Sequence, residues 1–350
     1  MSDAIIDIHV HFGGPGDPYD PDCECYWSKA FTKSLAYIVM LILSNFLFKK
    51  VTISRIKKHM FKIVNRSKCV NQCVFLALDQ VYDKNGKLHR DQTNLHVSNR
   101  FVVEELAAHN NRILFGASVH PYRSDWQEEL KYCLQNKPVL CKWLPSAQRI
   151  DPSDLKKCND MYKMLAEHRL PLLCHVGPEY ACPPYTPEFE RLNDPKLLVP
   201  ALKKGVIVIM AHCAMPYWGP WDKPIYKQYF DDFLKLMKDA EQNGWNLYAD
   251  LSAICIPTRD EYIKKIIAQL PPERLLFGSD YPVLLTEFCY YKRSANFWDR
   301  VRFIRKMARV RNLLDMNYYI IEEMGFDQRV FRNASKLFAN IIPWEIGEKQ

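Results

Sequence analysis

The sequence predicts a (β/α)8 TIM barrel, on three observations. Eight short apolar runs recur along the chain, at 4–11, 73–79, 112–119, 138–144, 170–176, 205–212, 246–252 and 274–280. Amphipathic stretches of helical period separate most of them. No G-x-G-x-x-G follows the first run, which disfavours the doubly wound alternative. Eight strands alternating with helices over about 280 residues is the barrel pattern. The 350 residues suit one large domain, 1–350, able to bury its own core without disulfides.

Taken in order, the first run is AIIDIHVH (4–11), short and rich in β-branched residues. An insertion over 12–68 separates it from the second run. The insertion opens on a turn-rich GGPGDPYDPDCEC and continues with LAYIVMLILSNFLF (35–48), which carries no charge. Its fourteen uncharged residues fall short of the roughly 20 apolar ones that a membrane-spanning helix needs. A span there would also put two strands of one closed barrel on opposite sides of a membrane. A buried helix over the barrel mouth or at an oligomer interface is expected, with a membrane-surface element as the competing reading. Of the later helices, 154–168 places Leu155, Cys158, Met161, Tyr162 and Leu165 on one stripe, and 229–243 does the same with Phe230, Phe233, Leu234 and Met237.

Composition is that of a globular protein, 48% hydrophobic and 25% charged. The net charge of +8 is concentrated. Residues 49–68 hold eight Lys/Arg and no acid, and 292–311 hold eight Lys/Arg against Asp299, leaving the rest of the chain acidic. Two local patches are not a nucleic-acid footprint, and no nucleic-acid partner is expected. Weak or no membrane binding and a soluble homo-oligomer are expected. The twelve cysteines are scattered and several fall inside strand-like runs. With acids where a signal peptide carries basic residues, this reads as a cytoplasmic protein with free thiols.

The chemistry concentrates at strand ends. In Asp7-Ile8-His9-Val10-His11 the two histidines alternate to the same side of the first strand, at its C-terminal end. In a barrel that end is the active-site mouth, where two neutral imidazoles can share a metal ion. His175 ends the fifth run (LLCHVG), His212 the sixth (IVIMAHC) and Asp280 the eighth (LLFGSDYP). Structural histidines satisfied by backbone carbonyls would not choose such ends repeatedly. His120, in SVHP after the third run, lines the mouth or caps a loop. Asp79 and Asp250 read as loop or capping acids. The loops after His175 and His212 are rich in proline and aromatics, and Tyr180, Tyr185, Tyr217, Trp218 and Trp221 could wall a pocket for an aromatic or cyclic small molecule. No G-x-S-x-G or P-loop is present.

This pattern resembles the amidohydrolase superfamily, and within it the branch containing aminocarboxymuconate semialdehyde decarboxylase and related metal-dependent hydrolases. LLFGSDYP is close to that branch's strand 8 signature, and FRNASKLF (331–338) resembles its closing helix. The resemblance spans residue 4 to about 340, except for the insertion. It implies metal ligands at His9, His11, His175 and Asp280, with His212 a further ligand or a catalytic group. Lys142, in CKWLPSAQ on the fourth run, matches the lysine that two-metal members carbamylate to bridge their ions. Binding of a substrate carboxylate and a purely structural role are its other readings. One or two divalent ions per chain are implied, zinc by default, with manganese, iron and cobalt close behind. The activity implied is hydrolysis of a C–N or C–O bond in a small cyclic or carboxylated molecule, with Asp280 moving the proton. A non-oxidative decarboxylase is the alternative, and a catalytically silent binding or membrane-docking barrel a third reading.

Overall fold

Residues 4–20, 22–43, 46, 50–216, 223–255, 259–282 and 296–339 are described in the computed structural model. The principal sheet has eight strands, all parallel, in the order β1 (Ile6–His11), β3 (Gln72–Leu76), β5 (Ile113–Ala117), β6 (Leu140–Trp143), β7 (Leu172–Cys174), β8 (Val208–Met210), β9 (Leu247–Asp250) and β10 (Leu275–Leu276). Each predicted run supplies one strand, and chain order is sheet order. Backbone bonds make the closing seam: Ile8 N–H donates to Phe277 O, His11 N–H to Tyr281 O, and Asp280 N–H to His9 O. The barrel therefore draws β1 and the β10 end together where His9, His11 and Asp280 lie.

The period-two alternation of the strands divides their side chains between two layers. Ile6, Ile8, Val74, Leu76, Leu140, Leu173, Ile209 and Leu276 fill the barrel's interior as one apolar cluster, with Ala334 and Phe338 of the C-terminal helix Asn333–Phe338. Cys73, Phe75, Phe115, Cys141, Trp143, Cys174 and Met210 belong to the larger cluster that packs the surrounding helices. Within or just past a strand, the residue two positions after an inward apolar one is polar in several cases: Lys142 after Leu140, His175 after Leu173, Asp250 after Tyr248. The floor is thus dry and the mouth carries the ionisable groups.

The helices follow their sequence stripes with one exception. Leu155–Glu167 buries Cys158, Met161, Tyr162 and Leu165, but Leu155 is exposed, since it opens the first turn beside the capping Asp154. Pro224–Asn243 buries Phe230, Phe233, Leu234 and Met237 as predicted. Among the described residues every cysteine is a free thiol.

Among its described residues the insertion forms three helices, Lys29–Thr32, Leu35–Leu43 and Ile53–Arg66. It also contributes β2 (Cys25–Trp27), which pairs antiparallel with β4 (Leu95–Val97) and ties the insertion to the connection between β3 and β5. The apolar segment is not a wholly buried helix. In helix Leu35–Leu43, Tyr37, Met40 and Leu41 pack on the core while Ile38 and Ile42 are exposed. No described helix is long and apolar enough to cross a membrane. In Ile53–Arg66, Ile56, Met60 and Val64 recur every fourth residue and are buried, so the lysines between them face outward. Thr52 caps this helix, accepting the Arg55 amide on its hydroxyl.

Candidate metal centre

Strand ends bring the donor atoms together. His9 Nε2 and His11 Nε2 lie 3.1 Å apart, Asp280 Oδ1 is 3.4 Å from the first and 3.2 Å from the second, and Lys142 Nζ is 3.1 Å from His9 Nε2. His212 Nε2 stands 4.0 Å from Asp280 Oδ2, its ring stacked on His9 with centroids 5.1 Å apart. His9 and Lys142 are fully enclosed, and Asp280 and His212 nearly so. His11 is half-buried on the side that opens to the mouth.

The backbone is held in an unusual state to make this arrangement. His212, Cys213 and Ala214 all adopt left-handed φ (57°, 49° and 50°), and so does Asp280 (62°). Each such non-glycine residue costs about 1 kcal/mol or more. The turns bring the His212 and Asp280 side chains together at the mouth, while Cys213 and Ala214 join the packed core. Gly278 makes room for His9 and Ser252: a Cβ there would meet His9 Cβ at 3.0 Å and Ser252 Cβ at 3.3 Å.

Asp250, read from sequence as a capping acid, is instead the hub beneath the centre. Its Oδ2 accepts His9 Nδ1–H at 2.7 Å, and its Oδ1 accepts the His212 amide at 2.8 Å, the Ser252 amide at 3.1 Å and the Ser252 hydroxyl. With the hydroxyl proton on Asp250, His212 Nδ1–H donates to Ser252 Oγ at 2.8 Å. These bonds assign the tautomers: both imidazoles carry a proton on Nδ1 and a lone pair on Nε2, aimed into the mouth. Asp250 could have been found in the sequence by the strand-end rule that picked out Asp280. Ser252, two residues further on, carries no comparable signal.

Electrostatics agree with this assignment. Burial lowers the pKa of His9, and the Lys142 ammonium lowers it further. Burial lowers His212 as well, so both rings are neutral near pH 7. Burial would raise Asp280, but the His212, His9 and His11 imidazoles outweigh it and hold the carboxyl well below the usual range. Burial likewise lowers the Lys142 amine. Two neutral imidazole lone pairs, an ionised carboxylate and an easily deprotonated amine fit a divalent cation.

Not every predicted residue joins the cluster. The His175 ring lies 5.0 Å from His212 by centroids, but its Nε2 meets Pro178 O at 3.2 Å and its Nδ1 meets Glu179 Oε2 at 3.3 Å. Burial pushes its pKa down to about 4. His120 is wholly buried with both nitrogens engaged by backbone: Nδ1 accepts the Tyr122 amide at 3.1 Å and Nε2–H donates to Gln148 O at 2.8 Å. Asp79 organises the same loop, accepting the His120 amide at 2.9 Å and facing Arg123 at 3.2 Å. Tyr180 stands at the surface with its ring edge-on to Tyr226. Tyr185 is exposed, with the Arg149 guanidinium 5.2 Å over its ring. Tyr217, Trp218 and Trp221 lie outside the described residues.

A parallel barrel with this cluster at its mouth has a counterpart among known families: the family model described as Amidohydrolase matches residues 72–302. The chain belongs to the amidohydrolase family. The match begins after His9 and His11, so their place in the centre rests on geometry. No curated protein matches the chain. Among solved structures, a putative 2-pyrone-4,6-dicarboxylic acid hydrolase from Pseudomonas putida is 12% identical, with TM-score 0.54, over 98% of this chain and 100% of that one. An amidohydrolase from Burkholderia multivorans with bound HEPES is 12% identical, with TM-score 0.54, over 96% of this chain and 99% of that one. An uncharacterized TIM-barrel protein from Bordetella bronchiseptica is 13% identical, with TM-score 0.52, over 91% of this chain and 99% of that one. At these identities the likeness is one of fold.

Proposed function

We propose that this amidohydrolase is a metal-dependent hydrolase that cleaves a C–N or C–O bond of a small cyclic or carboxylated substrate. The observation that carries the reading is the convergence of His9 Nε2, His11 Nε2 and Asp280 Oδ1 on one point at the barrel mouth, with Lys142 Nζ beside it. His9, His11 and Asp280 would hold the cation, zinc by default for a His/Asp set, with His212 and Lys142 next to it. A divalent cation there supplies a water of lowered pKa and polarises the carbonyl oxygen under attack.

The chain's own groups do the rest. Asp280, kept ionised by its imidazole neighbours, accepts the water's proton on a carboxylate oxygen and returns it to the leaving nitrogen or oxygen. His212, next to that set and with its lone pair on Nε2, would be a further ligand rather than a proton donor to the carbonyl. Asp250 and Ser252 keep both rings in that tautomer and exclude rotation. Lys142, whose pKa burial lowers, would be suited to carbamylation, in which its neutral amine adds carbon dioxide and loses a proton, giving a carboxylate-like group that would help hold a second cation. His175 would join such a pair only by leaving Pro178 O. His120, with both nitrogens committed to backbone, plays no part in binding substrate in this reading.

The test combines chemistry and stoichiometry. Cyclic esters and cyclic amides bearing carboxylates form the first panel, because the Pseudomonas putida relative is titled as a hydrolase of one such acid. Incorporation of labelled water oxygen into product, nearly abolished in Asp280→Asn while much of the metal is retained, is the expected result. Release of carbon dioxide without oxygen incorporation overturns hydrolysis in favour of decarboxylation. Metal content near two per chain, falling in Lys142→Ala, supports the bridge, and content near one removes it.

A further inference from the structure

The two basic runs, nearly 250 residues apart in sequence, meet in the structure. Helix Ile53–Arg66 and helix Phe297–Met307, with the segment that follows each, face one another across a surface groove of about 1350 Å³. Lys62, Arg66 and Lys68 come from one wall, and Arg305, Arg309 and Arg311 from the other. The lining of the groove includes none of the proposed metal-binding residues.

The nearby carboxylates are already engaged. Asp315 accepts the Ser67 hydroxyl and the Lys68 and Cys69 amides, stapling the end of helix Ile53–Arg66. Asp299 pairs with Arg302 at 3.0 Å, and Glu322 and Glu323 hold Lys306 at 3.1 and 2.8 Å. Among the described residues, no carboxylate lies within ion-pair distance of the six cations named above. Two facing rows of like charge repel across the gap, and an anion seated between them removes that cost. Arginine predominates on the second wall, and its planar fork matches phosphate oxygens in pairs.

We propose that this groove is a binding site for an anion carrying two or more phosphate groups. The two walls can engage separate phosphates at once, which a single phosphate or an isolated carboxylate cannot exploit. Such a ligand has two sources, a free polyphosphorylated metabolite or the headgroup of a phosphoinositide. Trp298, 72% exposed, lines the groove, and its neighbour Phe297 is 68% exposed; the pair could serve as interfacial aromatics for the second source.

The test uses the full chain, tripolyphosphate as the soluble probe, and phosphatidylcholine vesicles with and without phosphatidylinositol bisphosphate. Saturable, salt-sensitive binding is expected by calorimetry or co-sedimentation. Arg305→Glu/Arg309→Glu and, from the other wall, Lys62→Glu/Arg66→Glu should each weaken it about tenfold or more, with metal content and circular dichroism unchanged. Should one pair disturb folding, the pair on the opposite wall still reports. Binding of tripolyphosphate assigns a soluble ligand. Binding confined to the phosphoinositide vesicles assigns a lipid headgroup. The site is overturned by absence of saturable binding to both probes, by variants that bind as wild type, or by equal attraction to phosphatidylserine vesicles that tripolyphosphate does not compete.

Discussion

Asp250 never faces the proposed cation, yet it fixes the proton on His9 Nδ1 and holds the His212 amide. Replacing it by Asn keeps an acceptor but removes the charge that stabilises a liganded imidazole. Affinity for zinc should fall by about 10–100-fold in Asp250→Asn, as measured by competition with a chromophoric chelator. An unchanged dissociation constant would reduce Asp250 to a scaffold residue. Gly278 acts on the same ring by being small. In Gly278→Ala the new methyl meets His9 Cβ and Ser252 Cβ, atoms fixed to backbone that cannot swing aside. A loss of about 1–3 kcal/mol is expected from this overpacking, together with weaker zinc binding. Urea unfolding of the metal-free protein separates the two effects, because the packing penalty persists without metal.

Among the elements, the strands were the most legible part of the sequence. Each barrel strand falls on a predicted run because interior and exterior positions both demand apolar residues and only the mouth end admits polar ones. That contrast also made His9, His11, His212 and Asp280 visible. Shorter features were not legible. β2 and β4 are three residues each, too brief to show alternation, and their pairing joins segments some 70 residues apart. The His175–Glu179 contact depends on a loop's path that no local pattern encodes. The apolar segment at 35–48 could be read for length but not for which side would be covered. The C-terminal helix shows how a motif becomes structure: Phe338 closes the interior layer of the barrel with no exposure. Phe338→Ala should cost about 3–5 kcal/mol, seen as a lower urea midpoint at unchanged m-value. Phe297→Ala, at an exposed position, should stay within about 0.5 kcal/mol of wild type. Equal costs at the two positions would contradict the assignment of the helix as the barrel's floor.

For the molecule as a whole, the buried histidines make stability depend on pH. His96 on β4 donates Nδ1–H to Leu78 O at 2.8 Å, and His120 donates Nε2–H to Gln148 O at 2.8 Å. Burial pushes both from 6.5 down to about 4. Between those values the unfolded chain binds a proton that the folded chain does not. Stability is therefore fully present above pH 6.5 and is lost as pH falls towards 4, where both forms become protonated. Each ring contributes on the order of 3 kcal/mol to this loss. Asp250 and Asp280 act in a separate window, since their depressed values make their contribution disappear only below the ordinary carboxylate value of 3.8. His175, also near 4, adds to the first window and remains in any variant of the other two. His96→Gln/His120→Gln should consequently be less stable at pH 7 but show a shallower decline between pH 6.5 and 4, by up to about 6 kcal/mol in the ideal limit. Urea midpoints measured across that range decide the matter. Parallel pH curves for the variant and the wild type would mean that these two rings bind protons alike in the folded and unfolded chains, and burial would then not hold them neutral.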